Sequence, residues 1–394
     1  MDRFPSRTWA EIDLDALAHN MREIRKFTAP SAEVMAVVKA DAYGHGAIQV
    51  AKVFLSNGAS RLAVSMIDEA IELRNSGIDA PILTLNHTDP RRAFEVIENR
   101  IDQTVYSVEF AKALSDNALA AGRKVNIHIK MDTGMHRVGF DDGCKSVEQI
   151  LQIAEMPGIS IEGIFSHYAV ADTEDDDFTR MQYRLFNEMI NSLESHGINI
   201  PIKHICNSAG TLRFPETHMD MVRVGIIAYG MIPPGCPPPY RPIQLKPAMT
   251  LKSNVVHIKT VNAGETVSYG RKYEARSDET IATIPIGYAD GYTRRLSGKA
   301  DVLLHGQRAP VIGTICMDMC MIRVDSVRES VKIGDEVVLF GRQLYKDDEF
   351  LLSVDEISEL SDTINYEITC LIGKRVPRVY MQEGKIIHMH SLIW

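Results

Sequence analysis

The chain has 394 residues, 45% of them hydrophobic and 24% charged, with a formal net charge of -9. That length exceeds one ordinary core, so two domains are expected, one of about 200–250 residues if it is a barrel. The acidic balance argues against a nucleic-acid or anionic-membrane partner, and no apolar run approaches membrane-spanning length.

In chain order, the opening Met1-Asp-Arg-Phe-Pro-Ser6 lacks the hydrophobic segment of a signal peptide, so a cytoplasmic protein is expected. A short leading segment ends near Trp9-Ala-Glu-Ile12. Apolar residues at Leu14, Leu17, Met21 and Ile24 then mark an amphipathic helix. Val34 to Val38 reads as a strand buried on both faces that ends in Lys39, ahead of a turn of glycine and small residues. An amine at the end of a buried strand has two readings. It snorkels to water, or its charge is suppressed so that it forms a Schiff base with a carbonyl cofactor or takes up a proton.

Strand-like runs follow at 34–39, 61–66, 81–85, 102–106, 124–130, 161–167, 201–206 and 222–227, separated mostly by helical stretches such as Ile67 to Arg74 and Phe178 to Glu194. Eight β-type segments in βα succession predict a parallel (β/α)8 TIM barrel. Lys39, Lys130, His167, His204 and Arg223 all fall within or at the C-terminal ends of those strands, the rim where barrels of this kind keep their chemistry.

At Pro233-Pro-Gly-Cys-Pro-Pro-Pro-Tyr-Arg-Pro242 the composition becomes a proline-dense connector. Short strands follow at 251–259, 280–285, 301–305, 321–324 and 336–340, and helical patterning resumes only near residue 354. Residues 1–244 are therefore expected as the barrel and 245–394 as a mostly β domain. The six cysteines suggest no disulfide framework. The pair Cys316 and Cys320 has no partner pair with which to hold zinc, so reduced thiols and no metal are expected.

Val37-Val-Lys-Ala-Asp-Ala-Tyr-Gly-His-Gly46 resembles the cofactor-lysine motif of the alanine racemases, fold-type III pyridoxal-phosphate enzymes. The likeness recurs, in the family's order, at Lys130-Met-Asp-Thr-Gly-Met-His-Arg-Val-Gly139, His204-Ile-Cys-Asn-Ser208, Val222-Arg-Val-Gly-Ile226, Val267-Ser-Tyr-Gly270, Ile286-Gly-Tyr-Ala-Asp-Gly291, Cys316-Met-Asp318 and Ile364-Asn-Tyr-Glu367.

The resemblance implies an isomerase that interconverts L- and D-alanine with pyridoxal 5'-phosphate, supplying D-alanine for peptidoglycan. Lys39 would hold the cofactor and act as one base. Tyr269 would be the other, brought over from the second domain of a partner in a homodimer with composite sites. Arg223 would face the pyridine nitrogen, and a guanidinium there can only donate, which implies a weaker electron sink and fewer side reactions.

The resemblance also gives the phosphate to Tyr43, Ser208, Gly225, Ile226 and Tyr366. Ser208 is alternatively a plain helix cap. Arg137 would donate to the cofactor's phenolic oxygen and touch substrate, oriented by Lys130 at a position often carbamylated in the family. His167 and His204 would support the cofactor ring and Arg223, or be satisfied core histidines. Met317 and Tyr288 would contact substrate and narrow its access, with Asp172, Arg294 and Ile364 around the corridor.

Three rivals remain. A basic amino-acid decarboxylase of the same plan is disfavoured by Arg223 and Tyr269. A serine or broad-specificity racemase is disfavoured by Tyr366. A non-catalytic pyridoxal-phosphate-binding protein is disfavoured by the second domain and its Tyr269.

Overall fold

The computed structural model describes residues 7–327 and 329–391, so the opening residues read for a leader lie outside it. Leu17–Lys246 form one compact unit, and the described residues before and after form a second.

In the first unit eight parallel strands follow one another: β1 (Glu33–Val37), β2 (Arg61–Val64), β3 (Ile82–Thr84), β4 (Asp102–Val105), β5 (Val125–Lys130), β6 (Ile159–Phe165), β7 (Ile202–His204) and β8 (Met221–Val224). Strands β1 to β7 pair in sequence order and β8 pairs with β1. Asp220 N–H to Lys203 O at 3.1 Å and Arg223 N–H to Cys206 O at 3.0 Å then join the two remaining edges, so the ring is nearly closed. All eight expected strands are present, as the (β/α)8 reading requires.

Helices cover the ring from outside, so most strand residues are buried on both faces. Helix Ala47–Leu55 buries Val50, Ala51 and Phe54, and helix Ile67–Asn75 buries Ile67, Ala70 and Leu73, each at the spacing of one helix face. Local caps start other helices. Ser107 Oγ accepts from Phe110 N–H ahead of Val108–Ala120, and the Asp175 carboxylate accepts from Phe178 N–H ahead of Asp176–Ser195. Because the strands are parallel, their C-terminal ends share one rim.

Among the described residues the second unit holds an eleven-stranded sheet and a two-stranded ribbon, Thr266–Val267 with Tyr273–Glu274. It is mostly β, as expected, with a different make-up. Thr8–Asp13, counted with the barrel in the 1–244 division, pairs antiparallel with Met249–Asn254 and parallel with Arg378–Gln382. With a neighbour on each side, its Trp9, Ala10 and Ile12 are buried. The run expected over 251–259 is two strands, Met249–Asn254 and His257–Val261, each paired differently. No helix among the described residues is long and apolar enough to cross a membrane.

Candidate active site

Strand β1 ends at Val37, so Lys39 stands just beyond it and opens a turn, whereas the sequence suggests a strand running through residue 39. The turn Lys39–Tyr43 is left-handed: Ala40, Asp41, Ala42 and Tyr43 have φ of 53, 51, 53 and 54°. Left-handed geometry costs roughly 1–2 kcal/mol for each residue with a Cβ, so the surroundings must hold it. Ala40 N–H donates to Glu69 Oε1 at 2.6 Å, and Ala47 N–H to Asp41 Oδ1 at 2.8 Å. Glu69 Oε2 takes the amides of Ser65 and Met66, which ties the lysine turn to the start of the neighbouring helix. The turn buries Tyr43, whose ring lies 4.9 Å from that of Tyr229. Tyr229 in turn donates to Val37 O at 2.9 Å.

Three polar groups meet where β8 ends. Gly225 N–H donates to Ser208 Oγ at 2.9 Å, and a Cβ placed on Gly225 would lie 2.5 Å from the Tyr43 hydroxyl and 3.8 Å from Ser208 Oγ. The glycine leaves a notch lined by two hydroxyls and main chain, and Ile226 opens the 3-10 turn that continues it. Ser208 is the first residue of helix Ser208–Arg213. The cap is Asn207, whose Oδ1 accepts from Gly210 N–H, so the serine hydroxyl is left for Gly225. Such a notch suits the oxygens of a phosphate.

Arg223 is buried beside it. Its Nη1–H donates to His204 Nδ1 at 2.9 Å, and its Nη2 donates to Ser166 O at 2.8 Å, Ile205 O at 3.1 Å and His167 Nδ1 at 3.2 Å. Among the described residues no acceptor takes its Nε–H. The Phe165 ring lies under the guanidinium at 5.1 Å and stacks on His204 at 4.9 Å. Burial brings Arg223 down to about 10. It also pushes His167 and His204 well below the ordinary imidazole range, with Arg223 the next largest cause for both. Lys39, Lys130 and Arg137 add to the effect on His167, so the rim around that ring is electropositive.

Lys130 closes β5. It is buried, its Nζ donates to Met131 O and lies 5.6 Å over Phe165, and burial followed by Arg223 lowers it to about 7. Arg137 is exposed on the loop beyond, where Asp132 accepts from the amides of Gly134 and His136. The first unit therefore gathers Lys39, Tyr43, Lys130, Arg137, His167, His204, Ser208, Arg223, Gly225 and Ile226 at one rim. Two hydroxyls at a side-chain-free notch, with a buried guanidinium and further cations beside it, fit pyridoxal phosphate.

Tyr269, Tyr288, Met317 and Tyr366 belong to the second unit. Tyr269 is 71% exposed, Met317 52% and Tyr288 41%. Their loops are knitted together. Thr314 Oγ1 donates to Tyr269 O at 2.8 Å, and the amides of Tyr288 and Ala289 donate to the carbonyls of Cys316 and Met317 at 3.1 Å. Gly287 permits this approach, since a Cβ there would sit 2.3 Å from those same carbonyl oxygens. Asp290 anchors the cluster by accepting from Arg7, Arg375 and Gly287 N–H. Tyr366 is half-buried on helix Asn365–Cys370.

Comparison with known proteins finds one family over most of the chain. The family model described as alanine racemase, N-terminal domain, matches residues 12–233, and that of the C-terminal domain matches 248–380. The chain belongs to the alanine racemase family. It is 47% identical to alanine racemase of Clostridium tetani over 386 residues, covering 98% of each chain, and 48% identical to alanine racemase 1 of Clostridium acetobutylicum over 385 residues, again 98% of each. Among solved structures, alanine racemase of Clostridium difficile in complex with cycloserine superposes with a TM-score of 0.92 at 39% identity, covering 100% of both chains. The Bacillus anthracis alanine racemase with bound L-Ala-P gives 0.90 at 38% identity, covering 98% of both. Members of the alanine racemase family are pyridoxal-phosphate-dependent isomerases, and this chain is one.

The sequence does not single out Glu69, which pins the lysine turn, Phe165 beneath Arg223, or His128 behind His204. Only His128 carries a signal. It stands two residues before Lys130, so both side chains leave β5 on one face.

Proposed function

We propose that this chain interconverts L- and D-alanine in a cytoplasmic homodimer, each site combining the barrel rim of one subunit with the Tyr269 loop of the other, and supplies D-alanine for peptidoglycan. The observation that carries the reading is the notch at Gly225, on the same rim as Lys39 and the buried Arg223. Pyridoxal phosphate bound there supplies a conjugated pyridine ring that delocalises the charge left when the substrate's α-carbon loses its proton.

Tyr43, Ser208, the amides of Gly225 and Ile226, and Tyr366 hold the phosphate. Arg223 offers its Nε–H to the ring nitrogen. Having no acceptor, it keeps that nitrogen unprotonated and the electron sink modest, which disfavours transamination. His167 and His204 brace the ring and Arg223. Arg137, oriented by Lys130, donates to the phenolic oxygen and reaches the substrate.

Inversion needs a base on each face of the α-carbon. The Lys39 amine exchanges a proton on the D side and the hydroxyl of Tyr269 of the partner subunit on the L side. Met317 donates a main-chain amide to the substrate carboxylate, and Tyr288 with Tyr366 limits the side chain to alanine size. The relatives solved with cycloserine and L-Ala-P support a substrate of that size.

The test is polarimetry of the purified chain with pyridoxal phosphate on L-alanine and L-serine, with sedimentation of the same sample. Loss of rotation with alanine far faster than with serine, in a dimer, is expected. Equal rates, or full activity in a monomer, would sink the corresponding part of the reading.

A further inference from the structure

Arg223 is the outer member of a line of polar side chains that runs through the barrel core. It donates to His204 Nδ1, and His204 Nε2 lies 2.9 Å from His128 Nδ1. A guanidinium cannot accept, so the direction of the line is set from its outer end. His204 accepts at Nδ1, carries its proton on Nε2 and gives it to His128 Nδ1. His128 must then carry its own proton on Nε2, a buried atom with no hydrogen-bond partner among the described residues. Burial, then Arg61 and Arg223, hold His128 down at about 3, so the ring is neutral.

One ring nitrogen of His128 and one oxygen each of Asp102 and Glu162 lie within 4.8 Å of one another. Asp102 Oδ2 and Glu162 Oε2 are likewise buried without a hydrogen bond. Arg61 already supplies this cluster with a cation, its Nη1 lying 2.6 Å from Glu162 Oε1 and 3.7 Å from Asp102 Oδ2 while its Nε donates to Glu33. With that charge in place and the free nitrogen of His128 protonated, the group suits a hydrogen bond and not a metal ion.

The backbone is shaped around this ring. Strands β5 and β6 pair Ile127 with Ile161 but His128 with Gly163, so Glu162 is the extra residue of a bulge, a device that re-aims a side chain. A Cβ at Gly163 would lie 2.2 Å from His128 Nδ1.

We propose that His128, held beside the Asp102–Glu162 pair, is a positioning residue that receives the His204 Nε2–H, holds His204 in the tautomer that accepts from Arg223 and so keeps the Arg223 Nε–H for the cofactor's ring nitrogen. The role at the ring nitrogen rests on the cofactor placement proposed for this rim, whereas the direction of the proton line does not.

The test uses the full chain, labelled with 15N in its histidine rings, measured by NMR with and without pyridoxal phosphate. Neutral rings protonated on Nε2 are expected at both His128 and His204. A proton on Nδ1, or a doubly protonated ring, at either position overturns the proposal. The shape-preserving double variant Asp102→Asn with Glu162→Gln is expected to move the His204 Nδ1 resonance and to lower kcat about tenfold with KM within about twofold, the scale seen when an orienting partner is lost. An unmoved His204 resonance in the folded variant also overturns it. If that variant does not fold, the tautomers of the unaltered chain decide alone. A chain with these tautomers but no racemisation would refute the proposed activity and leave the proton line standing.

Discussion

The hydroxyl of Tyr43 lies 2.5 Å from where a side chain on Gly225 would begin. Gly225→Ala therefore forces the tyrosine out of the notch, at a cost of about 1–3 kcal/mol for an overpacked site. Titration with pyridoxal phosphate, followed by absorbance, should show affinity falling at least about tenfold, and urea unfolding of the cofactor-free chain should show a loss of about 1–3 kcal/mol. Removing the oxygen relieves the clash. The loss in Gly225→Ala/Tyr43→Phe should therefore be smaller than the sum of the single losses.

Glu69 holds the left-handed turn by one oxygen and the next helix by the other. Glu69→Ala leaves the Ala40 amide, which is exposed, to water in place of its acceptor, a loss of about 0.5–1.5 kcal/mol. Urea unfolding should show a drop of that size. Cofactor loading of the folded variant should also slow, because Lys39 is carried by the same turn.

Much of this was legible in the sequence, and the exceptions have physical causes. Most of the eight strands were visible as runs rich in apolar residues closed off by turn residues. The shape of Lys39–Tyr43 was not, since nothing in Lys-Ala-Asp-Ala-Tyr announces positive φ and the turn is imposed by groups from elsewhere, Glu69 among them. Thr8–Asp13 adjoins the barrel in sequence, but its sheet neighbours lie far along the chain. Glu162 was invisible because a bulge, and not strand alternation, aims it inward.

Lys130 gives the clearest dependence on pH. Burial and Arg223 lower it to about 7, whereas an unfolded lysine titrates near roughly 10.4. Between those values the unfolded chain binds a proton that the folded chain does not, so this residue makes stability rise with pH across the interval. Urea midpoints at about pH 7 and about pH 9.5 should differ in that direction, and Lys130→Met should reduce the difference.

A lysine neutral near pH 7 also has a free electron pair for carbon dioxide. The nitrogen adds to the carbon, a proton leaves, and a carbamate remains whose negative charge is welcome beside Arg137 and Arg223. With 13C-labelled bicarbonate, a carbamate signal is expected in the unaltered chain and absent from Lys130→Met.

Tyr269→Phe separates the two proposed bases. In deuterated water, release of the α-proton of L-alanine should slow about 100-fold or more, the usual worth of a positioned base. Exchange at D-alanine, assigned to Lys39, should persist. Equal losses for both enantiomers would argue against one base per face.

Thr8–Asp13 is synthesised ahead of the barrel, yet both of its sheet neighbours, Met249–Asn254 and Arg378–Gln382, are synthesised after it. On the ribosome this segment must wait, unpaired and carrying an apolar Trp9-Ala10, until the whole barrel has emerged. The second unit therefore completes its fold late, and an N-terminal fragment cut after the barrel would carry a sticky strand with nothing to join.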